Sequence, residues 1–250
     1  MKTCDGVNTS RREFLRIAGI AAAGLALGIL PYGAQNAFGA DAPLKIGVIG
    51  SGRIGSTLGS LWLKAGHEVM FSSLDLEHDK ALAAKLGGKA RAGTPREAAA
   101  FGEVLLMAVP YSALPQLGRD LAQAIKGKAV LDACNPIPVR DGEIANWARE
   151  KGAGLASAEL LPGARLVRTF STIGYTRLPV IAQRQGERIG LPMAGDDAGA
   201  IAVASRLVRE VGFEPVVVGS LAMGKYLIPG TPLFGEHAPE KLRQIAATLN

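Results

Sequence analysis

Three glycines, Gly50, Gly52 and Gly55, stand in the spacing G-x-G-x-x-G, and they are the residues whose type and arrangement point most directly to chemistry. An apolar run from Lys45 to Ile49 leads into them. After them come Ser56, Thr57, Leu58 and a helical apolar stretch that ends at Ala65 and Gly66. In a strand, turn and helix of this kind each glycine has its own task. Gly50 permits the sharp exit from the strand, Gly52 lets a pyrophosphate approach the backbone with no Cβ in the way, and Gly55 lets the helix pack close to the sheet. The free N–H groups and the positive end of the helix dipole then face the phosphates. The stretch therefore reads as the start of a dinucleotide-binding βαβ unit.

Other reactive groups are sparse. The sequence has no HExxH, CxxC or GxSxG, and no Ser or Tyr paired with Lys that stands out. His67 falls in a helix-to-strand turn, His78 in a polar helix and His237 in a C-terminal loop. None of the three reads as a catalytic acid or base, although a near-neutral pKa makes histidine the usual choice. Asp196 and Asp197 read as a helix N-cap pair rather than a metal site, and no metal is expected. Cys134 ends a strand, where ligands bind in open α/β sheets, yet it reads as a small buried hydrophobe rather than a nucleophile. Tyr175 and Arg177, in a loop late in the chain, are the candidates for substrate contact.

The elements that must position these residues follow from periodicity. His67 to Ser72 reads as a second strand, and Leu76 to Leu86 as a helix stopped by Gly87 and Gly88. A short strand near Lys89 to Ala92 precedes Thr94-Pro95-Arg96-Glu97, where Thr94 as N-cap and Glu97 three residues on make a capping box. Val104 to Val109 is a fully apolar strand ending at Pro110, Tyr111 to Ile125 an amphipathic helix, and Lys128 to Ala133 a strand closed by Cys134-Asn135-Pro136. Apolar strands alternating with helices imply a parallel sheet covered on both faces. Beyond it, Ile137 to Gly142 reads as a loop, Glu143 to Lys151 as a helix, Arg165 to Ser171 as a strand and Ile173 to Pro179 as a loop. Arg188 to Ala194 and Pro215 to Val218 read as strands around a helix from Ala198 to Val211. Leu221 to Leu227 and Pro239 to Leu249 read as helices. The expectation is an α/β fold, a doubly wound parallel sheet of Rossmann type. One domain at 43–250 has its dinucleotide-binding half at 44–136, and its second half extends the sheet.

Composition agrees. A chain of 250 residues, 48% apolar and rich in Ala and Gly, supplies one good core. Its 13 aromatics (7 Phe, 2 Trp, 4 Tyr) are too few for a base-stacking nucleic-acid surface, and no nucleic-acid partner is expected. The formal charge is +6, and residues 1–39 hold four basic and two acidic side chains, so +6 less +2 leaves +4 for the rest. No run of like charge occurs there, so the excess reads as solvated surface.

Residues 1–39 read as an address. Ser10-Arg11-Arg12-Glu13-Phe14-Leu15-Arg16 precedes a mildly apolar stretch, Ile17 to Leu30, interrupted by Gly19, Gly24 and Gly28. Paired arginines ahead of such a core resemble a twin-arginine export signal, with Ala37 and Gly39 at the cleavage positions. The stretch falls short of the about 20 apolar residues that span a bilayer, so an uncleaved anchor is the lesser reading. Export to the periplasm by that machinery carries folded proteins, which suits one that holds a nucleotide. Cys4 leaves with the signal, so Cys134 has no intramolecular disulfide partner.

The sequence resembles the NADP oxidoreductases that include the coenzyme F420-dependent NADP reductases and the reductase domains of membrane metalloreductases. The shared pieces are IGVIGSGRIG at the first turn, GHEV before a strand ending in serines, LLMAVP and D-A-x-N-P, with R-T-F-S-T-I, A-G-D-D and P-G-T-P-L-F-G later. The likeness is strongest from Lys45 to Pro136. It implies that Gly50, Ser51, Gly52, Arg53, Ile54 and Gly55 hold the pyrophosphate, and that Ser72 and Ser73 lie beside the adenosine ribose. It also sets Val109 and Pro110 against the middle of the cofactor and Asn135 and Pro136 near the nicotinamide; Val109, Pro110 and Pro136 read equally as strand ends and turns. The family typically has an Arg after the serines for the 2′-phosphate, and this chain has Leu74. NADP(H) is expected first, with Arg53 or the serines receiving the phosphate, and NAD(H) second. The activity implied is hydride transfer between the nicotinamide and a flavin or deazaflavin such as F420, which needs no protein acid or base. A dinucleotide-binding module without turnover and a small imine or keto acid reductase stay open as alternatives. A homodimer is the default assembly.

Overall fold

The computed structural model describes Met1 and residues 42–249, so the export signal read at the N-terminus lies outside the described residues. The chain alternates strands and helices in its first half: β1 (Lys45–Ile49), α1 (Arg53–Lys64), β2 (Glu68–Ser72), α2 (Leu76–Leu86), β3 (Ala90–Ala92), α3 (Pro95–Phe101), β4 (Val104–Met107), α4 (Leu114–Ile125) and β5 (Ala129–Asp132). Three helices follow, α5 (Pro138–Asp141), α6 (Glu143–Lys151) and α7 (Ala153–Leu160), before β6 (Arg165–Arg168). The chain closes with α8 (Leu178–Ala182), β7 (Gly190–Gly195), α9 (Ala198–Glu210), β8 (Glu214–Gly219) and α10 (Pro239–Ala247). Tyr111–Ala113 and Leu221–Tyr226 are 3₁₀ turns.

All eight strands form one sheet in the order β3-β2-β1-β4-β5-β6-β7-β8. The first six run parallel. β7 then pairs antiparallel with β6, and β8 parallel with β7, so the extension of the sheet runs in reverse. The expected doubly wound α/β fold is present, and a mostly parallel sheet is its accurate description.

Burial explains why the central strands are apolar throughout. Val104 and Leu106 of β4 pack into one core, with Val48, Leu58, Trp62 and Leu131. Leu105 and Met107 pack into the other, with Leu121, Ile125 and Val130. Alternate side chains point to opposite faces, so a strand covered on both faces has no polar position to spare. Trp62 is fully buried, donates Nε1–H to the Leu207 carbonyl at 3.1 Å and meets the Phe170 ring edge-on at 5.9 Å. The capping box at α3 forms as expected, Thr94 accepting from the Glu97 N–H and Glu97 from the Thr94 N–H.

Three local expectations are corrected. Pro138–Asp141, read as loop, is a helical turn, because the Asp141 carboxylate accepts from the Ile137 N–H at 3.0 Å and the Ser112 hydroxyl at 3.1 Å. Leu178–Ala182, read partly as loop, is helical with Pro179 in its first turn. The strand read to Ser171 stops at Arg168, where Phe170 takes a left-handed φ of 58°.

Candidate functional site

The chain reverses direction across the sheet at β1, which lies between β2 and β4. Ligands of open α/β sheets bind at the carboxyl ends of strands at such a switch point. A cleft of about 270 Å³ lies there, lined by Arg53 and Ile54 after β1, Ala108, Val109 and Pro110 after β4, Ala133 and Asn135 after β5, and Arg140 of α5.

The glycine turn has the close packing and the open helix start that an anion needs. Gly50 has φ +99°, and a Cβ there would stand 2.4 Å from the Ala108 carbonyl oxygen. At Gly55 a Cβ would lie 2.0 Å from the Gly50 carbonyl oxygen, so the helix can sit this near the strand only without one. Gly52 differs: a Cβ would meet no protein atom within 4 Å, and the space it leaves opens outward. Gly52 caps α1 without a side-chain hydrogen bond, and the first turn holds no acidic residue. The helix thus presents its N–H groups and dipole to an anion. These features fit a dinucleotide pyrophosphate. The turn is fastened to β2 by the Ser72 carbonyl, which accepts from Gly50 at 2.8 Å and Ser51 at 3.0 Å.

The serines after β2 are divided. Ser72 is buried and donates its hydroxyl to the Val48 carbonyl at 2.7 Å, which ties it to the sheet. Ser73 is half-buried and donates to Asp79 Oδ2 at 2.9 Å. Ser51 is buried and donates to Asp79 Oδ1. Leu74 stands clear of the protein.

Arg53 lines the cleft. Its Nη1 donates to the Tyr175 hydroxyl at 2.7 Å, and the guanidinium lies 4.7 Å from the centre of the Tyr175 ring. Tyr175 thus contacts a lining residue without being one itself. Arg177 is not among the lining residues; it is exposed and pairs with Glu236 at 2.6 Å, and that contact holds the Glu236 carboxyl below its usual range. Pro136 is buried and is not among the lining residues.

Asn135 is fixed from both ends. Its Nδ2 donates to the Ser171 carbonyl at 2.7 Å, and its Oδ1 accepts from Arg168 Nη2 at 2.8 Å. Arg168, fully buried, also donates from Nη1 to Asp132 Oδ2 and to the Cys134 carbonyl, both at 2.8 Å. Asp132 and Arg168 are the last residues of β5 and β6 and are register partners. This ion pair holds Asn135 at the end of the cleft, and the sequence reading passed over it. The signal available was an acidic residue closing one strand, AVLD, and a basic residue closing the next, RLVR. Asp79 was passed over too, one charge among several in Glu77-His78-Asp79-Lys80.

The remaining candidates have structural tasks. His67 is buried, accepts from the Leu44 N–H at 2.9 Å through Nδ1 and contacts Glu210 at 2.7 Å through Nε2. Asp197 caps α9, accepting from the Ala200 N–H at 2.7 Å. Around Asp141, burial raises the carboxyl pKa, but Arg140 and the N–H groups of Ile137 and Ser112 outweigh it and hold the group below its ordinary value. Cys134 is buried, and burial first, then the Asp132 carboxylate, push its thiol well up. A thiol so placed is a poor nucleophile. Alkylation of the native protein, mapped by peptide mass spectrometry, is therefore expected to leave Cys134 unmodified until the chain is denatured.

Residues 45–136 match the family model for NADP oxidoreductase, coenzyme F420-dependent. The match covers the glycine turn and the strands from β1 through β5. No curated protein matches the chain. Among solved structures, a hypothetical protein from Sinorhizobium meliloti is 24% identical with a TM-score of 0.68, over 79% of this chain and 96% of that one. A candidate F420-dependent NADP reductase from an Arthrobacter species is 22% identical with a TM-score of 0.63, over 73% of this chain and 87% of that one. An imine reductase from Myxococcus stipitatus, in complex with NAD+, is 19% identical with a TM-score of 0.52 over 83% of this chain and 60% of that one. At these identities the likeness establishes the shared fold.

Proposed function

We propose that the protein is an NAD(P)H-dependent oxidoreductase that exchanges hydride with a flavin or deazaflavin acceptor of the F420 type. The observation that carries this reading is the make-up of the cleft. An uncapped helix start and an open Gly52 lead into a wall of Ala108, Val109, Pro110, Ala133 and Asn135, with two arginines at its edge. Among the lining residues there is no carboxylate, imidazole or thiol. Such a wall can hold rings face to face and exclude water, and it supplies no proton. A bound nicotinamide contributes the hydride; the protein contributes distance and orientation, which can themselves lower a barrier by several kcal/mol. The Asn135 amide, held by Arg168 and Ser171, is a fixed polar contact for the nicotinamide end. Arg53 and Arg140 suit an acceptor that carries phosphate or carboxylate groups.

The family description of the matched segment, which pairs NADP with coenzyme F420, and the Arthrobacter neighbour support this class of acceptor. The paired arginines near the N-terminus support export to the periplasm in the folded, cofactor-loaded state. A closed symmetric homodimer is the assembly we expect.

The test is oxidation of NADH and NADPH by the purified protein, followed by loss of nicotinamide absorbance, with FMN, FAD, F420 and a panel of imines and keto acids offered in turn. Turnover with a flavin or F420 is the expected result. Turnover with an imine or keto acid alone would replace the acceptor, and binding without turnover would leave a dinucleotide-binding module.

A further inference from the structure

The dinucleotide reading fixes the pyrophosphate but not the group at the 2′ position of the adenosine ribose, and hydrogen-bond direction bears on that choice. This inference rests on that reading. In Rossmann folds the 2′ position lies at the end of β2, about 20 residues after the glycine turn, where an acidic residue grips a ribose hydroxyl or an arginine a phosphate. In this chain that place is Ser73 and Leu74, backed by Asp79 from the first turn of α2.

Asp79 is fully buried, and both its oxygens accept, Oδ1 from the Ser51 hydroxyl and Oδ2 from the Ser73 hydroxyl at 2.9 Å. A hydroxyl has one proton. The half-buried Ser73 hydroxyl has Asp79 Oδ2 at 2.9 Å and the Asp75 carbonyl at 3.2 Å as acceptors for its proton and takes the Asp75 N–H at 3.1 Å, so only a lone pair is left for a ligand; the Ser51 hydroxyl is buried and committed to Asp79. A ribose 2′-hydroxyl has a proton to give that lone pair. A 2′-phosphate dianion has none, and it needs donors.

Charge points the same way. Leu74, with a relative exposure of 107%, extends into solvent and offers a phosphate nothing. Arg53 belongs to the cleft lining, with Val109 and Asn135, and donates to the Tyr175 hydroxyl. Of the basic groups at the start of α2, His78 faces Asp79 at 3.4 Å and Lys80 pairs with Glu77 at 2.8 Å. Asp75 caps the helix, and Glu77 and Asp79 fill its first turn, so the positive end of that dipole is already matched by carboxylates. A phosphate placed here meets like charge beside a buried carboxylate, where screening is weak.

We propose that Asp79, through Ser73, makes this protein select NAD(H) over NADP(H), in departure from the NADP named by the family model that residues 45–136 match. Asp79 is a positioning residue in this scheme: it fixes the direction of the Ser73 hydroxyl, which is the one of the two that reaches the surface.

The experiment is calorimetric titration of the full chain with NAD+, NADH, NADP+ and NADPH, in the wild type and in the variants Asp79→Asn and Leu74→Arg. The wild type should bind NAD(H) at least about tenfold more tightly than NADP(H), a difference of about 1.4 kcal/mol. Each variant should lower that ratio by about tenfold or more, Asp79→Asn by freeing the Ser73 hydroxyl and removing charge, Leu74→Arg by supplying a guanidinium. A purely structural Asp79 would weaken all four ligands alike and leave the ratio unchanged, which would overturn the proposal. Equal or tighter binding of NADP(H) by the wild type would also overturn it and leave the dinucleotide reading standing. Binding of none of the four would remove both. Leu74 is exposed, so its variant tests the preference even where Asp79→Asn fails to fold.

Discussion

Arg168→Met is expected to cost about 3–5 kcal/mol of folding stability, because it leaves the Asp132 carboxylate buried without its partner. The measurement is urea unfolding, with a lowered midpoint and an unchanged slope. The size of the effect follows from burial. Exposed pairs such as Arg243–Glu240 at 3.2 Å contribute about 0–1 kcal/mol, since water screens them and their side chains give up entropy to meet. Arg168 and Asp132 are 0% and 1% exposed, and the same guanidinium also serves the carbonyls of Cys134 and Leu227 and the amide of Asn135. Its removal therefore strands several acceptors at once, at the junction of β5, β6 and the 3₁₀ turn at Leu221–Tyr226. The double variant Arg168→Met with Asp132→Leu should recover part of the loss, because a buried charge is then no longer unpaired. A loss below about 1 kcal/mol in the single variant would mean that water reaches the pair and that Asn135 is held by Ser171 alone.

How legible these features were in sequence depended on whether one local pattern had one physical cause. The glycine turn, the capping box at Thr94 and the apolar strands through β5 were read correctly because each reports a local demand: a φ only glycine reaches, an orphan N–H, a strand with two covered faces. The helix α7, Ala153–Leu160, was not read. Its small residues are buried on several sides, Gly154 within 2.1 Å (from a Cβ) of the Leu221 carbonyl oxygen and Gly118 of α4 within 1.8 Å of the Leu160 carbonyl oxygen, so no polar face marks a helical period. The reversal at β7 was equally invisible, since both strand directions bury the same apolar residues. At the site, the order was inverted: residues flagged by type, Ser72 and Arg177, are engaged with Val48 and Glu236, while Asp79 and Arg168 have partners far away in sequence, Ser51 and Asp132. A contact over 28 residues, as between Ser51 and Asp79, or over 36, as between Asp132 and Arg168, leaves no spacing to recognise.

Gly52→Ala and Gly55→Ala separate binding from folding, and their contrast is the strongest test of the glycine turn. At Gly52 the φ of −65° suits alanine and a Cβ would touch no protein atom, so stability should change by no more than about 1 kcal/mol, the scale of an N-cap substitution. The new methyl group instead occupies the approach to the first N–H groups of α1. Dinucleotide affinity should fall by about tenfold or more, about 1.4 kcal/mol, when measured by titration against the wild type. Gly55→Ala should fail differently. Its Cβ would lie 2.0 Å from the Gly50 carbonyl oxygen and 2.9 Å from Val48 Cγ1, so α1 must move away from β1. Overpacking of this kind costs about 1–3 kcal/mol, and stability and binding should drop together. If Gly52→Ala bound all four nicotinamide dinucleotides as the wild type does, the phosphates would not lie over this turn, and the cleft beside Asn135 would have to be filled by a different ligand.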